Sequence, residues 1–253
     1  MSANVKMLRR LLFPPKCAAC GVLLEAFRDE RPRALCKTCA VKWDEAKNRP
    51  CHCCGLPMTD CTASMAMTQR HGVSTLIRLV EYLPDRKTDV QSRVIFKLKD
   101  RDNAELQEFL AAELAPLIQK QLLMRGQTVE NTVLVWAPRS QKAVRRIGHD
   151  QSQRLCMALA RQLGTHKPVC RVRRAGGRVQ KMLGQEQRAK NAFASFEAIP
   201  GHCADLLGKC VILVDDVATT GATLSAVAAK LRPYKPAHLI GVCVAVDVPP
   251  ERR

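Results

Sequence analysis

The apolar run Cys210 to Val214 ends in two adjacent carboxylates, Asp215 and Asp216. A loop of small residues follows: Val217, Ala218, Thr219, Thr220, Gly221, Ala222 and Thr223. Successive backbone N–H groups, threonine hydroxyls and the positive end of a helix dipole make such a loop a cradle for phosphate. The neighbouring carboxylates suit the two adjacent hydroxyls of a ribose, each accepting a strong hydrogen bond. Together they describe a ribose 5-phosphate as ligand. An acidic turn in front of a capped helix is the plainer alternative, and the generic pattern leaves both open.

A second chemistry sits at the other end of the chain. Cys17-Ala-Ala-Cys20 and Cys36-Lys-Thr-Cys39 each bring two sulfurs together across a tight turn. Two such loops complete the tetrahedral four-sulfur site that Zn²⁺ favours, in a structural role, since no water-activating His/Glu set surrounds them. A redox dithiol pair is the alternative. Cys51, Cys54 and Cys61 form a further group, with His52 or Cys53 as a fourth candidate ligand. It fits a second zinc, a degenerate site, or alternative ligands to the first ion. The remaining cysteines, Cys156, Cys170, Cys203, Cys210 and Cys243, stand singly among apolar neighbours and read as small core residues.

These groups need elements to hold them. Residues 1–65 read as a cysteine-rich domain stapled by metal, with a short helix Ala40–Asn48 packed through Trp43. Residues 72–253 read as an α/β domain. Strands are expected at Thr75–Tyr82, Thr132–Trp136, Cys210–Val214 and Ala237–Val246. Helices are expected at Asp89–Lys99, from an N-cap at Asn103 onward with Pro116 as a kink or end, at Asp150–Leu163 and at about Gly221–Leu231. Strands alternating with amphipathic helices predict a doubly wound parallel sheet, whose ligands bind beyond the carboxyl ends of the strands.

The chain has 253 residues and a formal net charge of +18. Residues 137–190 hold 14 Lys or Arg against Asp150 and Glu186, so two-thirds of the excess lies in one block. That block points to a polyanionic partner, phosphates or nucleic acid, against the alternative of a solvated surface. The longest nearly unbroken apolar run, Leu239 to Val246, is far short of the roughly 20 residues a membrane span needs. The start of the chain lacks the pattern of a secretory signal, and clustered cysteines suit a reducing, cytoplasmic setting.

The full string Val214-Asp215-Asp216-Val217-Ala218-Thr219-Thr220-Gly221-Ala222-Thr223 resembles the phosphoribosyl pyrophosphate (PRPP) signature of type I phosphoribosyltransferases. With the amino-terminal cysteine pairs, the chain as a whole resembles the ComF/GntX family. Phe96-Lys97, the run Arg145-Arg146-Ile147-Gly148-His149-Asp150-Gln151, and the spaced Gln180, Leu183, Arg188, Asn191 and Phe193 carry the likeness further. Departures are Trp136-Ala137-Pro138-Arg139 for the family's Pro-Val-Pro-Leu turn, Gly177 for a Thr, and His149-Asp150 for Phe-Asn.

The resemblance implies a type I phosphoribosyltransferase-like fold with a zinc ribbon, and PRPP bound with Mg²⁺ at Asp215, Asp216 and Ala218–Thr223. It implies displacement at the anomeric carbon with pyrophosphate leaving, met by Arg139, Arg145, Arg146 and Arg188 as catalytic groups. A basic hood over about 173–192, with Arg173, Arg174, Arg178 and Lys181 and hinges at Gly176, Gly177 and Gly184, would close over the site. Thr219 stands where some members of the wider class carry an acid, which leaves Asp150 and His149 as candidate bases. The acceptor is a small molecule of unstated identity. The resemblance also implies a link to DNA uptake or use, with single-stranded DNA or DNA-uptake proteins as partners. The alternative is a non-catalytic PRPP sensor that binds single-stranded DNA.

Overall fold

A computed structural model describes residues 14–24, 33–100, 103–174, 193 and 195–247. After the first cysteine turn comes α1 (Lys37–Asn48), then a short α2 (Ala66–Gln69). Next are β1 (Val73–Ile77), β2 (Val80–Tyr82), α3 (Val90–Asp100) and α4 (Ala104–Leu123). The Asn103 side chain caps α4 by accepting from the Leu106 N–H at 3.0 Å. Pro116 lies inside α4, which runs on past it, so of the two expectations, kink or end, the helix does not end there. Then follow β3 (Thr132–Trp136), α5 (Gln141–Ile147), α6 (Gln151–Leu163), β4 (Val172–Arg174) and β5 (Phe196–Ala198). The chain continues through β6 (Cys210–Val214), β7 (Val217–Ala218), α7 (Ala222–Leu231), β8 (His238–Val242) and β9 (Ala245–Asp247).

The main sheet is parallel, in the order β1-β8-β6-β3. Beyond its carboxyl edge a smaller parallel sheet, β2-β9-β7, continues the same chains. Two strands expected as single runs, Thr75–Tyr82 and Ala237–Val246, are therefore each broken in two. The breaks fall side by side with the one after Val214. Across them the backbone bonds sideways: Asp215 N–H to Val242 O at 2.9 Å, Val244 N–H to Asp216 O at 3.0 Å and Cys243 N–H to Ile77 O at 3.0 Å. An alternative hydrogen-bond set thus replaces the ladder at one level of three adjacent strands, which periodicity cannot reveal.

The wholly apolar strands are explained by helices on both faces. Ile212 and Val214 of β6 pack in one core with Leu110 and Leu114 of α4 and Leu155 and Leu159 of α6. Val211 and Leu213 of the same strand pack in the other with Leu224, Val227 and Leu231 of α7. Alternation along one strand thus feeds two cores, as a doubly wound sheet requires.

The amino-terminal segment joins the first core. Cys17, Ala18, Leu35 and Trp43 pack into it, with the Trp43 ring 6.2 Å from that of Phe109 on α4. Lys47 pairs with Glu113 of α4 and with Asp44, and His52 Nδ1 lies 2.6 Å from Glu81 Oε2 on β2. Among the described residues no helix is long and apolar enough to cross a membrane.

Candidate functional site

The Sγ atoms of Cys17, Cys20, Cys36 and Cys39 all lie within 4.8 Å of one another. Cys20 and Cys36 are 3.7 Å apart, close to the ~3.8 Å that a tetrahedron with Zn–S of about 2.3 Å implies. Cys39 comes from the first turn of α1, and the Gly21 N–H donates to Cys17 O at 2.9 Å to close the opposing turn. The four sulfurs fit a structural Zn²⁺, and no disulfide forms among the described cysteines. Cys51, Cys54 and Cys61 make a second group of the same tightness.

Against that second group stands Arg78, a residue that sequence reasoning passed over. It is 3% exposed. Its Nη2 contacts Cys61 Sγ and lies 3.7 Å from Cys51 Sγ, while Nη1 donates to Ala63 O at 3.1 Å. An arginine inside the apolar stretch Leu76 to Val80 was the signal available. A buried guanidinium requires nearby negative charge or polar partners, and sulfur provides them here.

At the carboxyl end of β6 both acids are buried, Asp215 at 8% and Asp216 at 6% exposure. Asp215 Oδ1 accepts from Ser152 Oγ at 2.9 Å and from the Asp216 N–H at 2.9 Å. Asp216 Oδ1 accepts from the Val217 N–H at 2.9 Å, and its Oδ2 accepts from Arg139 Nη2 at 2.7 Å. Burial, and then the charge of Asp216, push the Asp215 carboxyl up to about 8, with the Ser152 hydroxyl opposing. Ser152 was missed because a serine in the first turn of a helix carries no pattern of its own.

Arg139 follows β3 in a turn tied to the site from both sides. The Ala137 N–H donates to Val214 O at 2.9 Å, and the Arg139 N–H donates to Asp150 Oδ2 at 2.8 Å. Asp150 Oδ1 also accepts from the Gln153 N–H at 3.2 Å, capping α6. Each Asp150 oxygen thus accepts from backbone, which ties the Arg139 turn to the start of α6. His149 is buried, and its Nε2 has no hydrogen-bond partner among the described residues.

The loop expected to cradle phosphate leads into α7. Val217 and Ala218 are buried, whereas Thr219 and Thr220 are exposed, and Ala222 and Thr223 are partly exposed. The Ala222 N–H donates to Thr220 Oγ1 at 3.3 Å. Gly221 has φ +77°, and a Cβ there would sit 2.7 Å from Thr68 Cγ2 and 3.1 Å from Met65 Sδ. Two constraints therefore require glycine: left-handed backbone and the close approach of the α2 segment.

The expected arginines divide. Arg139 touches the acid pair. Arg145 and Arg146 lie exposed on α5, which packs no buried residue. Arg174, at the end of β4, lies over the Phe196 ring at 5.3 Å. Burial lowers its pKa, with Asp215 opposing and Arg139 adding to the effect, so both groups act on it. Arg173 pairs with Glu197 at 2.8 Å. Phe193 meets His71 at 4.6 Å between ring centroids. Gly176, Gly177, Arg178, Gln180, Lys181, Leu183, Gly184, Arg188 and Asn191, the rest of the expected hood, lie outside the described residues.

A parallel sheet covered on both faces, with an acid pair and a small-residue loop at its carboxyl edge, defines a class. It is an α/β fold of the type I phosphoribosyltransferase kind, carrying an amino-terminal double zinc ribbon. Residues 151–253 match the phosphoribosyl transferase domain, and residues 8–69 match the double zinc ribbon domain. Among curated proteins, an adenine phosphoribosyltransferase of Corynebacterium glutamicum is 35% identical over 92 residues, 36% of this chain and 48% of that protein. One of Mycobacterium marinum is 36% identical over 91 residues, 36% of this chain and 47% of that protein. One of Rhodococcus jostii is 37% identical over 90 residues, 36% of this chain and 49% of that protein. The chain thus spans about half the length of the curated relatives it matches. A solved structure of the allosteric regulatory enzyme of purine biosynthesis is similar at 18% identity, over 55% of this chain and 26% of that one, with a TM-score of 0.32.

Proposed function

We propose that this chain binds PRPP at the edge formed by β6, its following loop and α7, and transfers the phosphoribosyl group to a small-molecule acceptor. The observation that carries this reading is the buried pair Asp215 and Asp216 at the mouth of the Thr219–Thr223 loop, with Arg139 on the acid side. The loop amides at the start of α7 hold the 5-phosphate, and the two carboxylates face the ribose hydroxyls. As the pyrophosphate departs, the sugar gains positive character, which the Asp216 carboxylate stabilises at close range, joined by Asp215 once it has released its proton. Arg139, and from the hood Arg174 and Arg188, meet the negative charge that builds on the leaving oxygens. Arg145 and Arg146 guide the polyanion from the rim.

The carboxylates of Asp215 and Asp216 are oxygen donors of the kind a hard dication takes. Asp215 and Asp216 would hold a Mg²⁺ bound with PRPP, which would supply charge neutralisation for the leaving group. The curated relatives are adenine phosphoribosyltransferases, so adenine is the first acceptor to try. Calorimetric titration with PRPP and Mg²⁺ tests binding, and pyrophosphate release with adenine and other bases tests transfer. Heat with the wild type, lost in Asp215→Ala with Asp216→Ala, is expected; equal heats for both proteins would end the proposal.

The ComF/GntX resemblance adds a role in DNA uptake or use, with single-stranded DNA as partner. The exposed Arg145 and Arg146 within the basic block 137–190 support it. Such binding rests on phosphates and weakens with salt at a log-log slope of about −0.7 per contact on single strands. PRPP binding without pyrophosphate release from any acceptor would favour a PRPP-sensing member over an enzyme.

A further inference from the structure

A second basic site lies at the opposite edge of the sheet, where β1 and β8 begin. A cavity of about 340 Å³ opens there between Gly72 and Ser74 on one side and Lys235 to Leu239 on the other. Arg125, Arg232 and Lys235 line it, with His238, and no acidic residue does. Among the described residues none of these three cations enters a salt bridge. The strands are five residues long, so this edge stands roughly 17 Å from the acid pair at about 3.3 Å per residue.

The site is held in shape. Arg125 Nη1 donates to Gln121 O at 2.9 Å and to Gln121 Oε1 at 2.6 Å, and Nη2 donates to Thr75 Oγ1. Lys235 has φ +52°, the sole non-glycine with positive φ among the described residues. That backbone carries a cost of about 1 kcal/mol. The Gly208 N–H donates to Lys235 O at 3.1 Å and the Ala237 N–H to Lys209 O at 2.9 Å, holding the strained turn that brings Lys235 to the cavity lining. The positive field reaches His71 beside it, whose pKa is lowered first by burial and then by Arg232 and Arg70.

The geometry points to a binding site for a small phosphate monoester at this edge, separate from the PRPP loop and holding whether or not PRPP binds. Three cations around one small cavity match a group with two negative charges on a single phosphorus, which a phosphodiester lacks. Ser74 and His238 add hydrogen-bonding groups at the rim. The cavity lies at the lower end of small-ligand pocket sizes.

Calorimetry of the full chain with inorganic phosphate, glycerol 3-phosphate and a short single-stranded oligonucleotide tests it. Binding of the first two is expected, weakened about tenfold for each cation removed in Arg232→Gln and Lys235→Gln. Both side chains are exposed, so the fold should survive, and an unchanged melting temperature checks that. Arg232→Lys should keep most of the affinity, and Arg139→Ala should keep this site intact. Unchanged phosphate affinity in the double glutamine variant overturns the inference. So does loss of phosphate binding in Arg139→Ala, which assigns the phosphate to the other edge. Binding of the oligonucleotide alone overturns it in favour of a nucleic-acid surface.

Discussion

At the scale of single residues, the site balances charge within a few side chains. Asp216 is matched by Arg139, while Asp215 leans on the Ser152 hydroxyl and a backbone N–H. With its pKa pushed up to about 8, folded Asp215 keeps a proton that the unfolded chain releases near pH 4. Stability of the ligand-free protein should therefore fall as pH rises from about 4 toward 8. Asp215→Asn should flatten that slope and raise the melting temperature at pH 8. An equally steep slope in both proteins would show that the carboxyl ionises freely in the fold. Gly221 answers to geometry instead. Gly221→Ala places a side chain in left-handed backbone and 2.7 Å from Thr68 Cγ2, a cost of about 2–4 kcal/mol. Denaturant unfolding reads it directly, and a loss under about 1 kcal/mol would mean that α2 yields easily.

Elements show where sequence was informative and where it was silent. The strands at Thr132–Trp136 and Cys210–Val214 and the helix capped by Asn103 were legible because apolar runs, periodicity and capping chemistry agree there. The breaks in β1–β2 and β8–β9 were not, because the residues of β8–β9 stay apolar straight through and only Arg78 interrupts the run at β1–β2. The α5 helix escaped because Gln141 to Ile147 buries no residue and so has no apolar stripe. The β4–β5 ribbon pairs Val172 with Ala198, a partnership that local pattern cannot see. In the site, Asp215 and Asp216 could be read from the chain, whereas Ser152 needed coordinates and Arg78 was marked only by a charge inside an apolar run. That ribbon carries a test of its own. Arg171, just before β4, is buried and binds Asp205 and the His202 carbonyl. The guanidinium holds the Asp205 carboxyl below the usual range, so this stabilisation is present above the unfolded pKa and lost as pH falls through the folded one. Asp205→Asn should cost roughly 1 kcal/mol at neutral pH, modest because Asp205 is 61% exposed. Melting curves of variant and wild type should converge under acid. A gap that persists there would point to packing instead of charge.

For the whole molecule, ribbon and sheet share one core and one buried charge. Trp43 packs on Phe109, Lys47 pairs with Glu113, and Arg78 carries its charge from the strand break to Cys51 and Cys61. Stripping zinc with a chelator should therefore destabilise the entire chain in a single cooperative transition, by several kcal/mol. Two separate calorimetric transitions, with the sheet unaffected, would contradict the shared core. Trp43→Ala should act in the same direction, at about 3–5 kcal/mol.

The aligned strand breaks bear on how this chain tolerates changes of length. Because the Asp215 and Asp216 peptides are held sideways by Val242 and Val244, their height above the sheet is set by residue count in a strand far away in sequence. A single residue inserted or deleted near Arg78 or Cys243 would shift that height by about one strand step and turn alternate side chains over. Loops such as the turn at Gly126 could lengthen freely, whereas these two silent positions should be among the least tolerant of insertion in the molecule.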